Sequence, residues 1–173
     1  MKKILALVLA LVMVLAATAA LAGSSPDSGK WSGATTPVEE VKPVKISATE
    51  ALQAIIDGVT EAAQAGDAVS GLPEGGKALV PAELKTINEM DCYQLSGDPS
   101  KLDELKLVFY FATDYSGAEA VTLLIGISPA DAEVEWLALE GKPLADGGIE
   151  VTVTAEELKK ISNNPFIVIP VSK

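Results

Sequence analysis

The fold class is decided by the stretch Leu-Lys-Leu-Val-Phe-Tyr-Phe-Ala-Thr, residues 105–113. In an extended chain its leucines and phenylalanines share one side, because successive side chains of a strand point to opposite faces. Valine, tyrosine and alanine fall on the other side, and aromatic and β-branched residues are typical of strands. Since both sides are apolar, we expect a central strand that is covered on each face.

Further runs with strand character lie before and after this stretch, and turn residues separate them, for example residues 96–99 and 146–148. The predicted strands are residues 78–80, 84–95, 105–113, 121–127, 134–139, 149–153 and 166–171. Many short strands at close spacing are typical of an antiparallel sandwich or barrel. Pro170 predicts an edge position for the end of the last strand, because proline donates no ladder hydrogen bond.

Two capping boxes predict two helices. Ser47 and Glu50 open an amphipathic helix over residues 47–65, whose apolar side chains recur at helical spacing. Thr154 and Glu157 open a second, short helix near the end of the chain.

These elements predict one mainly β domain over residues 45–173. We expect an antiparallel β-sandwich of immunoglobulin-like architecture, with the helix of residues 47–65 packed on it. A segment of this length is sufficient for one sizeable core. The alternative is an α+β domain, with a single sheet and helices on one side.

The first 22 residues have the features of a secretory signal peptide. Lys2 and Lys3 form a positive n-region, an apolar run follows, and Ala-Leu-Ala at residues 20–22 fits a small-residue cleavage site. We expect cleavage after Ala22 and an extracytoplasmic location, in the periplasm or at the cell surface. Residues 23–44 are rich in Ser, Gly, Thr and Pro without a hydrophobic period, which predicts a flexible linker.

The composition excludes several kinds of chemistry and of partner. The chain has no histidine, and all 13 of its basic residues are lysines. This removes histidine-dependent triads, histidine metal sites and arginine clamps for phosphate. Loss of two lysines with the signal peptide takes the net charge from −11 to −13. An acidic surface repels nucleic acids and anionic membranes, so we expect neither as a partner of the mature chain.

Glu133 and Glu135 are the candidates for a catalytic pair. They fall on one face of a predicted strand, roughly 7 Å apart by strand rise, a separation that suits a glycosidase. Charged residues are nevertheless far more common on the solvated face of a strand. We therefore assign no catalytic residue and expect the protein not to be an enzyme.

Asp98, Ser100, Asp103 and Glu104 are candidates for a calcium site, because their oxygens lie close together in sequence. Their spacing does not match a calcium-binding loop. The pair Asp98-Pro99 is more typical of the cap and first residue of a short helical turn. We therefore assign no metal-binding or cofactor-binding residue.

Cys92 is the single cysteine, which excludes an intrachain disulfide. The alternation around it predicts a strand, where a lone cysteine is usually a small buried hydrophobe. Trp31 is the only large apolar residue of the predicted linker, and we interpret it as a solvated side chain.

Four segments of the C-terminal half form a further pattern: Val-Thr-Leu-Leu-Ile at residues 121–125, Glu-Trp-Leu-Ala-Leu at 135–139, Asp-Gly-Gly-Ile-Glu-Val-Thr-Val-Thr at 146–154 and Pro-Phe-Ile-Val at 165–168. A tryptophan strand, a glycine turn and a Thr/Val-rich strand thus precede a last strand. This half resembles the terminal immunoglobulin-like β-sandwich modules of bacterial secreted surface proteins. The resemblance implies a structural or adhesive unit without catalytic residues.

These features predict a secreted, non-catalytic structural or binding module of the bacterial cell envelope, with another envelope or surface protein as its partner. Two alternatives stay open. One is a small hydrolase that works through carboxylates alone, and the other is a secreted inhibitor that presents a surface loop.

Overall fold

Nine strands, all paired antiparallel, form the body of a computed structural model that describes residues 33–38, 40–130 and 132–173. The strands are β1 (Gly33–Thr35), β2 (Lys42–Lys45), β3 (Thr86–Ile87), β4 (Asp91–Ser96), β5 (Glu104–Tyr110), β6 (Val121–Ile127), β7 (Glu135–Pro143), β8 (Ile149–Thr154) and β9 (Phe166–Ser172). The helices are α1 (Glu50–Gln64), α2 (Glu74–Lys77) and α3 (Ala155–Ile161), with a 3₁₀ helix at Ala68–Gly71. The predicted signal peptide lies outside the described residues.

The strands form one nearly closed sheet in the order β1-β5-β8-β7-β6-β9-β4-β2, with β3 also paired to β9. All of the pairings are antiparallel. The mainly β, antiparallel class predicted from the sequence is confirmed. Among the described residues, no helix is long and apolar enough to cross a membrane.

One face of the sheet encloses an apolar core that is filled with aromatic rings. The Tyr93 ring lies at the centre of this group, with its centroid 5.4 Å from that of Phe109 and 6.1 Å from that of Phe166. All three side chains are fully buried. Leu158 and Ile161 of α3 add to the same core.

The stretch at residues 105–113 is covered on one face only, which corrects the expectation of a doubly covered strand. Its leucines and Phe109 face the core, whereas Lys106 is exposed and Val108 and Tyr110 are half-buried on the outer face. The reason is its position: β5 lies beside the short end strand β1. Among the described residues, none of β5 belongs to the second apolar cluster, which contains the buried side chains of α1.

Strand β9, which lies between β6 and β4 in the sheet order, is buried on both faces along its whole length. Phe166 and Val168 point into the core, while Ile167, Ile169 and Val171 point outward beneath α1. Leu52, Ile55 and Val59 of α1 complete this second, outer apolar cluster. The amphipathic stripe of the helix therefore covers the outside of the sheet.

Helix α1 begins later than the first capping box predicted. Its N-cap is Thr49, whose hydroxyl accepts from the Leu52 amide, so Ser47 lies outside the helix. The second capping box is confirmed, because Thr154 and Glu157 each accept a hydrogen bond from the other's backbone.

Several predicted strands differ from the structure: the one at residues 134–139 continues to Pro143 as β7, and the one at residues 105–113 ends at Tyr110 as β5. Residues 78–80 follow α2 in turns rather than in a strand. The predicted strand at residues 84–95 is divided into β3 and β4, because residues 88–90 leave the sheet between them. Strand β6 has the predicted bounds.

The predicted linker also contains ordered structure. Strand β1 lies within residues 23–44, and β2 overlaps the end of this segment. Val41, between the two strands, is buried against the core. Pairing with β5 and β4 overrides the polar composition there, so the linker interpretation is corrected for residues 33–38 and 40–44.

Pro170 is buried inside the sheet and not at an exposed edge. It lies opposite Leu123 of β6 on one side. On its other side the neighbouring chain is interrupted, because pairing with β4 ends at Val168 and pairing with β3 begins at Val171. The missing amide donor of proline is tolerated at this gap in the ladder.

Candidate functional site

The two glutamates considered as a catalytic pair do not share a pocket. Both Glu133 and Glu135 are exposed, and Glu133 precedes the first residue of β7. The Glu135 carboxylate lies 3.8 Å from the ammonium group of Lys160. Two solvated carboxylates on an open surface do not enclose a substrate between them as a glycosidase pair must.

The four oxygen-bearing residues considered for calcium are not brought together either. The Asp98 carboxylate accepts from the Ser100 amide at 2.9 Å, and this bond lowers the pKa of Asp98. Both line a groove of about 400 Å³ beside α3, which Asp103 and Glu104 do not line. Among the described residues, no group of three or more Asp, Glu, Cys or His side chains is placed to hold a metal ion.

Cys92 is buried on the outer face of β4, as predicted for a lone cysteine in a strand. Burial, with the nearby Asp91 carboxylate, raises the pKa of its thiol to about 11. The thiolate is therefore suppressed at neutral pH, and the residue acts as a packing side chain. Trp31 lies outside the described residues.

A group of charged and polar side chains lies near the start of β4. The Lys45 ammonium lies 2.6 Å from Asp91 Oδ1, and the Tyr93 hydroxyl donates to Asp91 Oδ2 at 3.4 Å. Burial, with the Asp91 carboxylate, raises the pKa of the Tyr93 hydroxyl. This arrangement satisfies the polar end of a fully buried aromatic side chain, so we interpret it as structural.

The Tyr115 hydroxyl is a second polar group beside the core, and it has no hydrogen-bond partner among the described residues. Asn88 and Thr113 are near enough to affect its pKa without reaching hydrogen-bond geometry. Burial and the Glu89 carboxylate raise this pKa to about 12. Glu89 itself accepts from the Ala112 and Thr113 amides, each at 2.7 Å.

We expect Tyr115→Phe to increase the free energy of unfolding by about 1 kcal/mol, because it removes a buried hydroxyl that is unsatisfied. The pKa of Tyr115 is higher in the folded protein, about 12, than its ordinary value of 10.0. Ionisation of this tyrosine therefore favours the unfolded chain, and it lowers the stability of the parent protein as the pH rises above about 10. Melting temperatures from pH 7 to 11 should therefore fall less steeply in the variant.

Tyr110→Phe is the matched control for this prediction. The Tyr110 hydroxyl donates to Asp146 at 3.0 Å, so its removal should not stabilise the protein. A loss of stability in Tyr115→Phe larger than that in Tyr110→Phe would show that the Tyr115 hydroxyl has a partner.

The longest unpaired strand edge in the described part of the chain belongs to β7. Residues 135–141 pair with β6 on one side. On the other side β7 meets β8 only at its end, through Lys142 opposite Glu150 and Pro143 opposite Ile149. The backbone groups of residues 135–141 that point away from β6 therefore lack a strand partner.

Strand β7 is held firmly in this position by packing on its outer face. The Trp136 ring lies against backbone: a Cβ atom added at Gly76 of α2 would be 3.0 Å from it, and one at Gly126 of β6 would be 3.1 Å away. On the inner face Leu139 is buried in the core. The unpaired edge is thus rigid, while Ala138 and Glu140 remain exposed.

An acidic groove of about 410 Å³ borders the same strand. Ala138 and Glu140 of β7 line it together with Glu83, Glu119 and the large exposed side chain of Leu79. The Lys173 ammonium lies 2.7 Å from Glu119. Among the described residues, no lysine is within 4.0 Å of the carboxylates of Glu83 or Glu140.

Sequence reasoning did not find this edge and groove. The three glutamates of the groove are far apart in the chain, and only folding brings them together. One signal was present: residues 135–141 contain neither proline nor lysine, the residues that commonly protect an edge strand. Comparisons of the chain with protein-family models, with curated proteins and with solved structures find no match.

Proposed function

We propose that this chain is an exported, non-catalytic binding or structural module of the bacterial cell envelope or surface, which engages another envelope or surface protein. The observation that carries the proposal is the filled interior of the sheet. The rings of Tyr93, Phe109 and Phe166 occupy the space between its walls. Because these side chains fill the interior of the sheet in the described part of the chain, recognition of a partner is expected at its outer surface.

The immunoglobulin-like arrangement is part of this proposal. Two halves of the sheet, β1-β5-β8 and β6-β9-β4-β2, contribute side chains to the same core, and β7 connects them. Opposed antiparallel layers of this kind serve as rigid supports for exposed loops and edges. The acidic surface favours association with a basic partner protein, since it repels partners that are themselves acidic.

Export is tested by the N-terminus of the mature protein. When the full chain is expressed in a bacterial host, N-terminal sequencing of the extracytoplasmic fraction should begin at Gly23. As the control, a variant with Ala20→Leu and Ala22→Leu should accumulate uncleaved, because the cleavage site requires small residues. Protein that remains in the cytoplasm and still begins at Met1 would contradict the proposal.

Binding is tested by capture of partners on the immobilised mature chain from an envelope extract of its own cells. A stoichiometric complex that survives size-exclusion chromatography and contains an envelope protein would support the proposal. Turnover of a glycoside that is lost in Glu133→Gln would instead support the hydrolase alternative, because that carboxylate has no structural contact among the described residues.

A further inference from the structure

We propose that the edge of β7 at residues 135–141 binds an extended, lysine- or arginine-bearing segment of a partner protein as an added antiparallel strand. This inference rests on the proposed binding function and names the surface and the kind of partner. The exposed edge supplies backbone hydrogen bonds, and the exposed Glu140 carboxylate of β7 itself supplies charge selection. Strand addition of this kind gains affinity from main-chain bonds and specificity from alternate side chains.

The contrast with the other edges supports the choice of β7. The end strand β1 has three residues, and the end strand β2 reads Lys-Pro-Val-Lys. Short length, proline and lysine are the usual means by which natural sheets prevent strand addition. Residues 135–141 are longer than either end strand and carry none of these protections until Lys142 and Pro143. The sheet is therefore guarded at its two ends, and its longest unpaired edge among the described residues is that of β7.

The side chains of β7 determine the pattern that an added strand must have. Leu137 and Leu139 lie on the face of β7 that packs on the core. A side chain of the added strand on this face should therefore be apolar. Ala138 and Glu140 lie on the outer face, where the groove begins. A side chain of the added strand on that face meets the Glu140 carboxylate, so it should be basic, and the partner segment should alternate basic and apolar residues.

Charge complementarity favours a partner protein over a second copy of this chain. The groove has Glu83, Glu119 and Glu140 around the apolar side chains of Leu79 and Ala138. The contact between Lys173 and Glu119 shows that an ammonium group can be accommodated at this rim. A second copy would bring its own Glu135 and Glu140 to the edge, and like charges opposite each other are destabilising.

The test uses the mature chain and three synthetic peptides with blocked ends. The first is Lys-Val-Lys-Val-Lys-Val-Lys. The second replaces the outer two valines with proline, which keeps the charge and removes two amide donors. The third replaces all lysines with glutamate. Affinity is measured by titration calorimetry, and amide hydrogen exchange by NMR locates the binding surface.

We expect the first peptide to bind at least about tenfold more tightly than either of the others, because only it combines donors with the complementary charge. Its binding should slow exchange of amides within residues 135–141. Glu140→Lys should weaken this binding by about tenfold or more. The matched control is Glu156→Lys, an equal charge change at an exposed position of α3, and it should alter the affinity less than about twofold.

Three results would overturn the inference. Equal binding of the lysine-valine and the proline-bearing peptides would mean attraction by charge alone. Exchange protection away from residues 135–141 would place the surface elsewhere. Dimerisation of the free chain with protection of these amides would make a second copy the occupant. Each of these is distinct from failure of the proposed function, which is decided by the N-terminus of the exported protein and by capture of an envelope partner.

Discussion

Deletion of residues 165–173 is expected to abolish cooperative folding of the mature chain. The deletion removes β9, which pairs with β6 along its whole length and with β4 and β3 on the other side. It also removes fully buried side chains from both apolar clusters: Phe166, Ile167, Val168, Ile169 and Val171. Loss of one large buried side chain costs about 2–5 kcal/mol. Several such losses exceed the total stability of about 5–15 kcal/mol that is usual for a domain.

The measurement is chemical denaturation followed by circular dichroism, with size-exclusion chromatography to detect aggregation. Deletion of Lys173 alone is the control. It removes an exposed ion pair with Glu119, an interaction worth about 0–1 kcal/mol. If the longer deletion remained monomeric and melted within a few degrees of the parent, the central position of β9 would be incorrect.

Gly71→Ala is expected to destabilise the protein by about 3 kcal/mol. The 3₁₀ helix approaches α1 so closely here that a Cβ atom at Gly71 would overlap the backbone carbonyl of Gly58 and lie 2.8 Å from the Ala62 Cβ. Backbone cannot move aside as a flexible side chain can, so α1 must shift away from the sheet. Overpacking of this kind usually costs about 1–3 kcal/mol, and a backbone clash belongs at the upper end.

The control is Gly117→Ala, where an added Cβ atom would have no neighbour within 4 Å. Its free energy of unfolding should stay within about 1 kcal/mol of the parent value. Urea titration of the three proteins measures both effects. Equal stability of the two variants would show that the contact between Gly58 and Gly71 is looser than described. The same contact explains why α1 retains a glycine, although glycine lowers helix propensity by about 1 kcal/mol relative to alanine.

The unpaired edge of β7 has a consequence for handling of the protein. Exposed edges promote association between chains, and net charge of one sign opposes it. The chain combines both features, since residues 135–141 have an unpaired edge and its net charge is −11. The exposed carboxylates of Glu135 and Glu140 on β7 thus oppose addition of a second copy of the chain.

The sequence by itself determined the elements that depend on local pattern. Apolar, β-branched runs between turn residues placed β6 and β8 within one residue of their bounds. The box formed by Thr154 and Glu157 defined the start of α3, since its hydrogen bonds join residues only three apart. The burial of Cys92 also followed from its position in an alternating run.

Tertiary structure alone decided which strands are neighbours. Apolar residues on both sides of a run indicate two covered faces, but they do not say what covers them. For this reason β5 was expected to be central, whereas β9 has that position beneath α1. Pro170 is tolerated inside the sheet because the adjacent chain is interrupted there. Likewise, β1 and β2 form only because distant strands offer them partners.

The candidate interaction surface depends entirely on such long-range placement. Glu83, Glu119 and Glu140 belong to three separate segments, and no spacing in the chain predicts that they meet. The edge of β7 is open because β8 pairs with β5 and diverges from β7 beyond the connecting turn. Local pattern specified which side chains face the core, and only the packing of distant segments specified which backbone groups and charges remain at the surface.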